Sequence, residues 1–247
     1  MILPWIDEGA PPEAFPPPEQ ALPDPPGLLA AGGDLRPERL LAAYRRGIFP
    51  WYGEDQPILW WSPEPRAVFP AGGVHVSRSL RRTLRRGHLH VTADTDFDGV
   101  VAGCAAPRGE DEGTWITPAM ALAYRRLHEL GHAHSVEVRD DTGALVGGIY
   151  GVAVGAAFAG ESMFSRVTDA SKVALATLAR QLWRWDFHFL DAQVASPHLL
   201  RMGVEEWSRP AFLEALRAAV AEPDRTGGWR LDPLGELFPE VPGARHA

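Results

Sequence analysis

The chain has 247 residues, and its 24 lysines and arginines against 32 aspartates and glutamates give a formal charge of -8 at pH 7. This balance argues against a general nucleic-acid binder, which is usually basic. Hydrophobic residues make up 45% of the chain, enough for a packed core, so disorder throughout is excluded. The single cysteine, Cys104, excludes an intrachain disulfide and a cysteine-rich zinc cluster.

The N-terminal segment lacks the features of a signal peptide. Residues 1–20 contain no lysine or arginine and are interrupted by prolines, whereas a signal peptide has a basic start and a continuous apolar stretch. The longest uncharged apolar run, Ala144 to Gly160, has 17 residues, fewer than the roughly 20 of a membrane-spanning helix. We therefore expect a cytoplasmic protein without membrane contact.

Residues 1–65 are predicted to form a small N-terminal domain with a proline-rich arm. Nine of the first 26 residues are proline, which favours an extended arm. A helix is predicted over Pro37 to Arg46 and ends at Gly47. The segment Ile48 to Trp61 combines five aromatic residues with prolines, so it is expected to form loops and short strands.

Residues 66–247 are predicted to form a larger α/β (α+β) domain, because helices and strands interleave around a largely antiparallel sheet. The predicted strands are Ala67 to Phe69, His88 to Thr92, His134 to Arg139, Ala144 to Phe158 and Phe187 to Val194. The predicted helices are Ser77 to Arg86, Asp96 to Ala106, Pro118 to Leu130, Ala170 to Trp185 and Arg209 to Ala221. The segment from Glu222 to Ala247 contains no interpretable motif and is expected to be a peripheral tail.

A basic segment interrupts this acidic chain. From Pro65 to Ala93 there are six arginines and no acidic residue, a local charge of +6 that leaves -14 for the remainder. A solvated helix face is the ordinary explanation of a charge run, but this clustering favours a phosphate backbone as the ligand. The arginines that share neighbouring faces of the predicted helix are Arg78, Arg81, Arg82, Arg85 and Arg86.

The segment His128 to His132 matches the zinc-protease pattern H-E-x-x-H. The extended pattern fails, since Ser135 and Val138 occupy the positions of its glycine and third histidine. The predicted helix also ends at Gly131, which takes the second histidine off the helical face. A zinc protease is therefore the least favoured alternative.

Several longer segments match one protein family both in their residues and in their order along the chain. The segments are Gly27 to Ala30, Gly32 to Leu35, Arg46 to Trp51, Ile58 to Pro63, Gly113 to Thr117, His128 to Ser135, Gly160 to Arg166 and Asp191 to Val194. Together they resemble the bacterial leucyl/phenylalanyl-tRNA-protein transferases. The resemblance implies a GNAT-like acyltransferase domain behind the small N-terminal domain. It further implies transfer of leucine or phenylalanine from leucyl-tRNA or phenylalanyl-tRNA to proteins with N-terminal Arg or Lys, which marks them for N-degron proteolysis.

The expected reaction is aminolysis of an activated ester, which requires neither metal nor cofactor but does require positioning, a proton route and oxyanion stabilisation. Asp191 and Gln193 lie at i and i+2 of a predicted strand and are expected to share one face. By the resemblance they form the catalytic pair, in which Gln193 contacts the acceptor amine and Asp191 orients and polarises it. Glu161 is expected to bind the acceptor's cationic end. A mutual hydrogen bond of the pair, and an N-cap or an ion pair from Glu161 to Arg166, are the alternatives.

The resemblance also assigns the donor site. Trp51 and Trp115 match the positions that hold the 3'-terminal adenosine, whereas Trp60 and Trp61 are expected to be packing residues. Six apolar residues match a socket for the leucine or phenylalanine side chain, and they would equally suit an ordinary core. They are Ile149, Phe158, Met163, Leu175, Leu178 and Leu190.

Two other functions remain open at this point. An acetyl-CoA-dependent GNAT acyltransferase would need a backbone cradle of the form Q/R-x-x-G-x-G/A, which Gly147 to Val152 does not supply cleanly. A noncatalytic tRNA-binding module would retain the arginine-rich helix but has no use for Asp191, Gln193 and Glu161 around an apolar socket.

Overall fold

The N-terminal part of the chain folds around a four-stranded sheet. The structure, a computed structural model, describes residues 3–107 and 114–241; Gly113, the first residue of one family-like segment, lies outside them. The strands are β1 (Trp5–Ile6), β2 (Leu28–Gly32), β3 (Phe49–Pro50) and β4 (Leu59–Trp61). They lie in the order β1-β2-β4-β3, and helix α1 (Pro37–Tyr44) connects β2 to β3.

A seven-stranded sheet occupies the rest of the chain. Its strands are β5 (Arg66–Pro70), β6 (Leu89–Ala93), β7 (Ala133–Asp140), β8 (Leu145–Val154), β9 (Ala157–Ser165), β10 (Phe189–Gln193) and β11 (Glu205–Trp207). The order is β11-β5-β10-β9-β8-β7-β6, and the β9–β10 pair is parallel within otherwise antiparallel neighbours. The predicted mixed α/β class is confirmed. The domain boundary at residue 65 stays a prediction, although β4 ends and β5 begins on either side of it.

Helices cover both faces of the large sheet. They are α2 (Arg78–Arg86), α3 (Phe97–Ala105), α4 (Pro118–Glu129), α5 (Ala170–Arg184), α6 (Pro197–Arg201), α7 (Arg209–Ala219) and α8 (Leu234–Leu237). One apolar cluster takes side chains from α1, α3, α4 and α7, and the other from α2, α5 and α8. Strand β8 serves both, because its alternate residues point to opposite faces. In the described ranges, no helix has the length and apolarity that a membrane span requires.

The apolar run from Ala144 to Phe158, expected as one strand, is two strands joined by a tight turn at Gly155. Its φ is 55°, and a Cβ there would lie 2.2 Å from the backbone oxygen of Ala219. The single-strand prediction was wrong because the turn is buried against α7. A turn in that environment carries none of the polar residues that mark exposed turns.

The expected peripheral tail is also wrong for residues 222–241. Trp229 is buried and stacks on the His134 ring at 3.7 Å, and its backbone N–H donates to the Asp94 carboxylate at 2.8 Å. Leu234 and Phe238 are buried with it in the apolar cluster on that face. Isolated apolar residues among glycines and prolines have no period that would reveal such packing.

Candidate functional site

A cavity of about 470 Å³ opens where β9 and β10 part. Their parallel pairing ends at Ala159 and Asp191, and beyond that point the two strands form opposite walls. The lining residues are Phe49, Pro50, Trp51, Trp115, Glu161, Ser162, Met163, Ala192, Gln193, Val194, Ala195 and Ser196. The cavity thus brings together five of the residues singled out from the sequence.

Glu161 is a buried carboxylate with two side-chain donors. Its Oε2 accepts from the Tyr124 hydroxyl at 2.6 Å, and its Oε1 accepts from the Gln193 amide at 2.7 Å. Tyr44 in turn shares a hydrogen bond of 2.7 Å with Tyr124. Burial raises the pKa of Glu161 to about 7, and the nearby Asp191 charge adds to this rise against the opposing hydrogen bonds. Glu161 is therefore able to exchange a proton at neutral pH.

Gln193 ends strand β10 in an unusual conformation. Its φ is 63°, and the register with β5 shifts between Asp191 and Gln193. The expected regular alternation of these two residues on one strand face is therefore wrong. With its amide nitrogen on Glu161, the Gln193 side-chain oxygen has no hydrogen-bond partner among the described residues and remains available to a ligand.

Asp191 is bound by Arg66 and does not line the cavity. The guanidinium donates to Oδ1 at 2.8 Å and to Oδ2 at 2.7 Å, and both side chains are buried. Asp191 Oδ1 also accepts from the Gln193 backbone N–H at 2.9 Å. Arg66, counted in the basic segment from composition, is thus an internal partner whose charge Asp191 balances.

The two candidate adenosine-binding tryptophans both reach the cavity. Trp51 is 45% exposed, and Trp115 is half-buried. The Trp61 ring lies 5.5 Å from the Trp51 ring, and its indole N–H donates to the Trp51 backbone oxygen at 2.6 Å. Trp60 is fully buried and donates to the Gly32 oxygen, which confirms its packing role.

The six socket candidates lie at two depths. Among them Met163 lines the cavity, and it packs against the apolar cluster behind the wall. The other five belong to that cluster and are each at most 4% exposed: Ile149, Phe158, Leu175, Leu178 and Leu190. The structure therefore places a continuous apolar core directly behind Met163.

Helix α2 presents its arginines to solvent while Leu80 and Leu84 are buried beneath it. The Ser77 hydroxyl caps the helix, and Thr83 donates to Asp169 at 2.8 Å next to α5. Within the described part of the chain, Arg78, Arg81, Arg82, Arg85 and Arg86 form no ion pair. Their charges are available to an external partner.

The H-E-x-x-H segment spans the end of a helix. Helix α4 ends at Glu129, so His132 lies beyond it, close to the predicted end at Gly131. His128 stacks on Phe97 at 4.3 Å, and its Nδ1 lies 2.8 Å from the Ala133 oxygen. No group of three or more potential metal ligands is present in residues 3–107 and 114–241.

Sequence reasoning missed Tyr44 and Tyr124. Each lies on the apolar face of a helix, α1 or α4, where a tyrosine is indistinguishable from core by periodicity. The available signal was the hydroxyl itself, because a buried tyrosine usually has a hydrogen-bond partner. Two such residues on separate helices indicate a polar group between them.

Comparisons with known proteins identify the family of this chain. A family model described as leucyl/phenylalanyl-tRNA protein transferase matches residues 68–217, and the model of its N-terminal domain matches residues 33–64. The chain is 59% identical to the leucyl/phenylalanyl-tRNA–protein transferase of Alkalilimnicola ehrlichii, covering 92% of this chain and 88% of that protein. It is 56% identical to the enzyme of that name from Aromatoleum aromaticum, covering 96% and 98% of the two chains.

These matches span nearly the whole chain at high identity, so neither a noncatalytic tRNA-binding module nor an acetyl-CoA-dependent enzyme is supported. The chain belongs to the leucyl/phenylalanyl-tRNA–protein transferase family and is an aminoacyltransferase.

Proposed function

We propose that this enzyme moves leucine or phenylalanine from its tRNA ester to the α-amine of proteins that begin with Arg or Lys, which marks those proteins for N-degron proteolysis. The observation that carries the proposal is the composition of one cavity. The cavity, of about 470 Å³, is lined by two tryptophans, a methionine backed by apolar core, a buried carboxylate and an amide. That set matches the three chemical parts of the reaction: a nucleobase, an apolar side chain and an amine.

The donor side consists of Trp51, Trp115 and Met163. The indole rings offer broad faces to the unpaired 3'-terminal adenine, and such stacking contributes roughly 1–3 kcal/mol per base. Met163 has a flexible side chain that adapts to both leucine and phenylalanine. The apolar cluster directly behind Met163 continues the apolar surface against which the donor side chain packs.

The acceptor side consists of Glu161 and Gln193. An α-amine has an ordinary pKa of about 7.7–8.0 and must be neutral to attack the ester. Glu161, with a pKa raised to about 7, attracts the incoming ammonium and accepts its proton. The Gln193 side-chain oxygen then accepts a hydrogen bond from the neutral amine and aims its lone pair at the carbonyl carbon.

The transfer step balances without another reactant. The amine nitrogen forms a bond to the carbonyl carbon, and the tetrahedral intermediate expels the 3'-oxygen of the ribose. Glu161, protonated by the incoming ammonium, gives that proton to the departing ribose oxygen. The regenerated carboxylate then accepts the second amine proton as the amide forms and releases it to solvent. Asp191 acts through Gln193, since it bonds the Gln193 backbone and does not line the cavity.

The test is label transfer from leucyl-tRNA to short peptides that differ only at the first residue. We expect transfer to peptides that begin with Arg or Lys and none to a peptide that begins with Glu. The matched control is the Arg peptide with an acetylated α-amine, which retains the side-chain charge but has no nucleophile. Absence of transfer to every free-amine peptide would overturn the proposal.

A further inference from the structure

We propose that Arg66 is a positioning residue for this transfer: it holds Asp191 behind Gln193 and ties that strand end to the segment that carries Trp51. The inference rests on the proposed function, because it assigns a role within the same reaction. Arg66 belongs to the basic segment by sequence, but it is buried and is not one of the five arginines expected to face a phosphate backbone.

The contacts of Arg66 use both ends of its guanidinium group. Nε and one terminal nitrogen form the fork-like pair with Asp191 at 2.8 and 2.7 Å, a geometry that fixes both distance and plane. The other terminal nitrogen donates to the backbone oxygen of Gly47 at 3.1 Å. The group lies 4.9 Å from the Phe49 ring and 4.6 Å from the Phe212 ring, which restricts its movement on both sides.

Gln193 depends on this arrangement for its conformation. A φ of 63° is uncommon for any residue other than glycine, and surrounding contacts must stabilise it. Asp191 supplies such a contact by accepting the Gln193 backbone N–H at 2.9 Å. Arg66 therefore positions the Gln193 backbone N–H through Asp191, although Arg66 itself does not line the cavity.

The Gly47 contact links the two substrate sides. Gly47 immediately precedes Ile48, and the chain then forms part of the cavity wall at Phe49, Pro50 and Trp51. One buried side chain thus connects the donor-binding segment to the acceptor-binding end of β10. A change at Arg66 should alter turnover through misalignment of the two sides, more than it alters the affinity for either.

Arg66 also sets the charge that Glu161 experiences. Asp191 contributes to the raised pKa of Glu161, and removal of the guanidinium would leave that carboxylate uncompensated. Burial raises the pKa values of Tyr44, Tyr124 and Tyr150 well above 10, so these neighbouring hydroxyls add no negative charge beside Glu161. The titratable groups that face Glu161 are Tyr44 on α1, Tyr124 on α4, Tyr150 on β8 and Asp191 on β10.

The experiment compares Arg66→Met, Arg66→Lys and the double variant Arg66→Met/Asp191→Asn with wild type, in transfer from leucyl-tRNA to an Arg-initiated peptide from pH 5.5 to 9. For Arg66→Met we expect kcat to fall about 100-fold with KM changed less than about 5-fold. The acid limb of the rate profile should move to higher pH by about one unit. In the double variant the acid limb of the rate profile should return toward its wild-type pH, while kcat stays low. In Arg66→Lys the acid limb should stay at its wild-type pH, and kcat should fall less than in Arg66→Met.

Arg209→Met is the matched control. Arg209 also binds a carboxylate, that of Glu64, at 3.0 Å and a backbone oxygen, that of Ser62, and neither partner is a cavity-lining residue. We expect it to lower thermal stability while leaving kcat and the pH profile of the folded enzyme unchanged. An Arg66→Met enzyme with wild-type kcat and an unmoved limb would overturn the assignment. If that variant does not fold, wild-type kcat in the double variant would overturn it equally, and an inactive wild type would instead contradict the proposed function.

Discussion

The cavity and the arginine face of α2 are both polar, but the charged groups of the first are buried and those of the second are exposed to solvent. Glu161 in the cavity wall and Asp191 behind it are buried, and each is bound by specific donors at 2.6–2.9 Å. On α2, five arginines are exposed, and their charges are screened by salt. The first region controls protonation and geometry, whereas the second supplies attraction that depends on total charge and little on exact position.

This difference has consequences for mutations. Removal of one group from a buried network leaves its partners unsatisfied, so effects are large and strongly coupled between neighbours. Removal of one exposed charge weakens binding by a modest and nearly additive amount. The following variants should separate the two regions, beginning with the largest expected effect.

Gln193→Ala should lower kcat for peptide transfer by about 100-fold or more, because the amine loses its orienting oxygen and Glu161 loses a donor. Steady-state kinetics with leucyl-tRNA and an Arg-initiated peptide measure this effect. The thermal unfolding midpoint should stay within a few degrees of wild type. A variant with wild-type kcat would remove Gln193 from the proposed mechanism.

Trp51→Ala should raise KM for leucyl-tRNA by about 10-fold, in line with the loss of one stacking contact. The control is Trp5→Ala, since Trp5 is 65% exposed and lies outside the cavity lining. Equal KM values for the two variants would contradict a donor role for Trp51. Binding of aminoacyl-tRNA at fixed ionic strength provides an independent measurement.

Reversal of two charges on α2, Arg82→Glu/Arg86→Glu, should weaken tRNA binding by about 10-fold at low salt. The slope of the logarithm of the binding constant against the logarithm of the salt concentration should become less steep by about one to two. Arg217→Glu reverses an exposed charge on α7 and serves as the control. The kcat at saturating tRNA should not change, because the chemistry lies in the cavity. Unchanged affinity at low salt would mean that α2 is an ordinary solvated face.

Glu161→Gln should make stability less dependent on pH. Folding raises the pKa of Glu161 from 4.5 to about 7, so the protonated form stabilises the fold below about pH 4.5 and this contribution is lost as pH rises through 7. At pH 8 the variant should therefore unfold about 3–6 °C above wild type. Thermal unfolding from pH 5 to 8 measures this, with the exposed Glu13→Gln as control. A parallel pH dependence of Glu161→Gln and wild type would contradict a titrating Glu161.

Several site residues were predictable from sequence because they lie in continuous family-like segments. Trp51, Trp115, Glu161, Met163 and Gln193 were all expected near substrate, and all five line one cavity. The partners that set their chemistry were not predictable. Arg66 is 125 positions from Asp191, and Tyr124 is 37 positions from Glu161. No local pattern relates residues so far apart.

The sequence by itself determined the family, the mixed α/β class, most helix positions and the uneven division of charge. These depend on residue order, periodicity and composition. Only the tertiary structure decided which arginines are buried, that Gln193 leaves the regular strand, that the 222–241 segment packs on the core, and that burial raises the pKa of Glu161 to about 7. Burial and pairing arise when distant segments meet, and they change the charge of a group that composition counts as fixed.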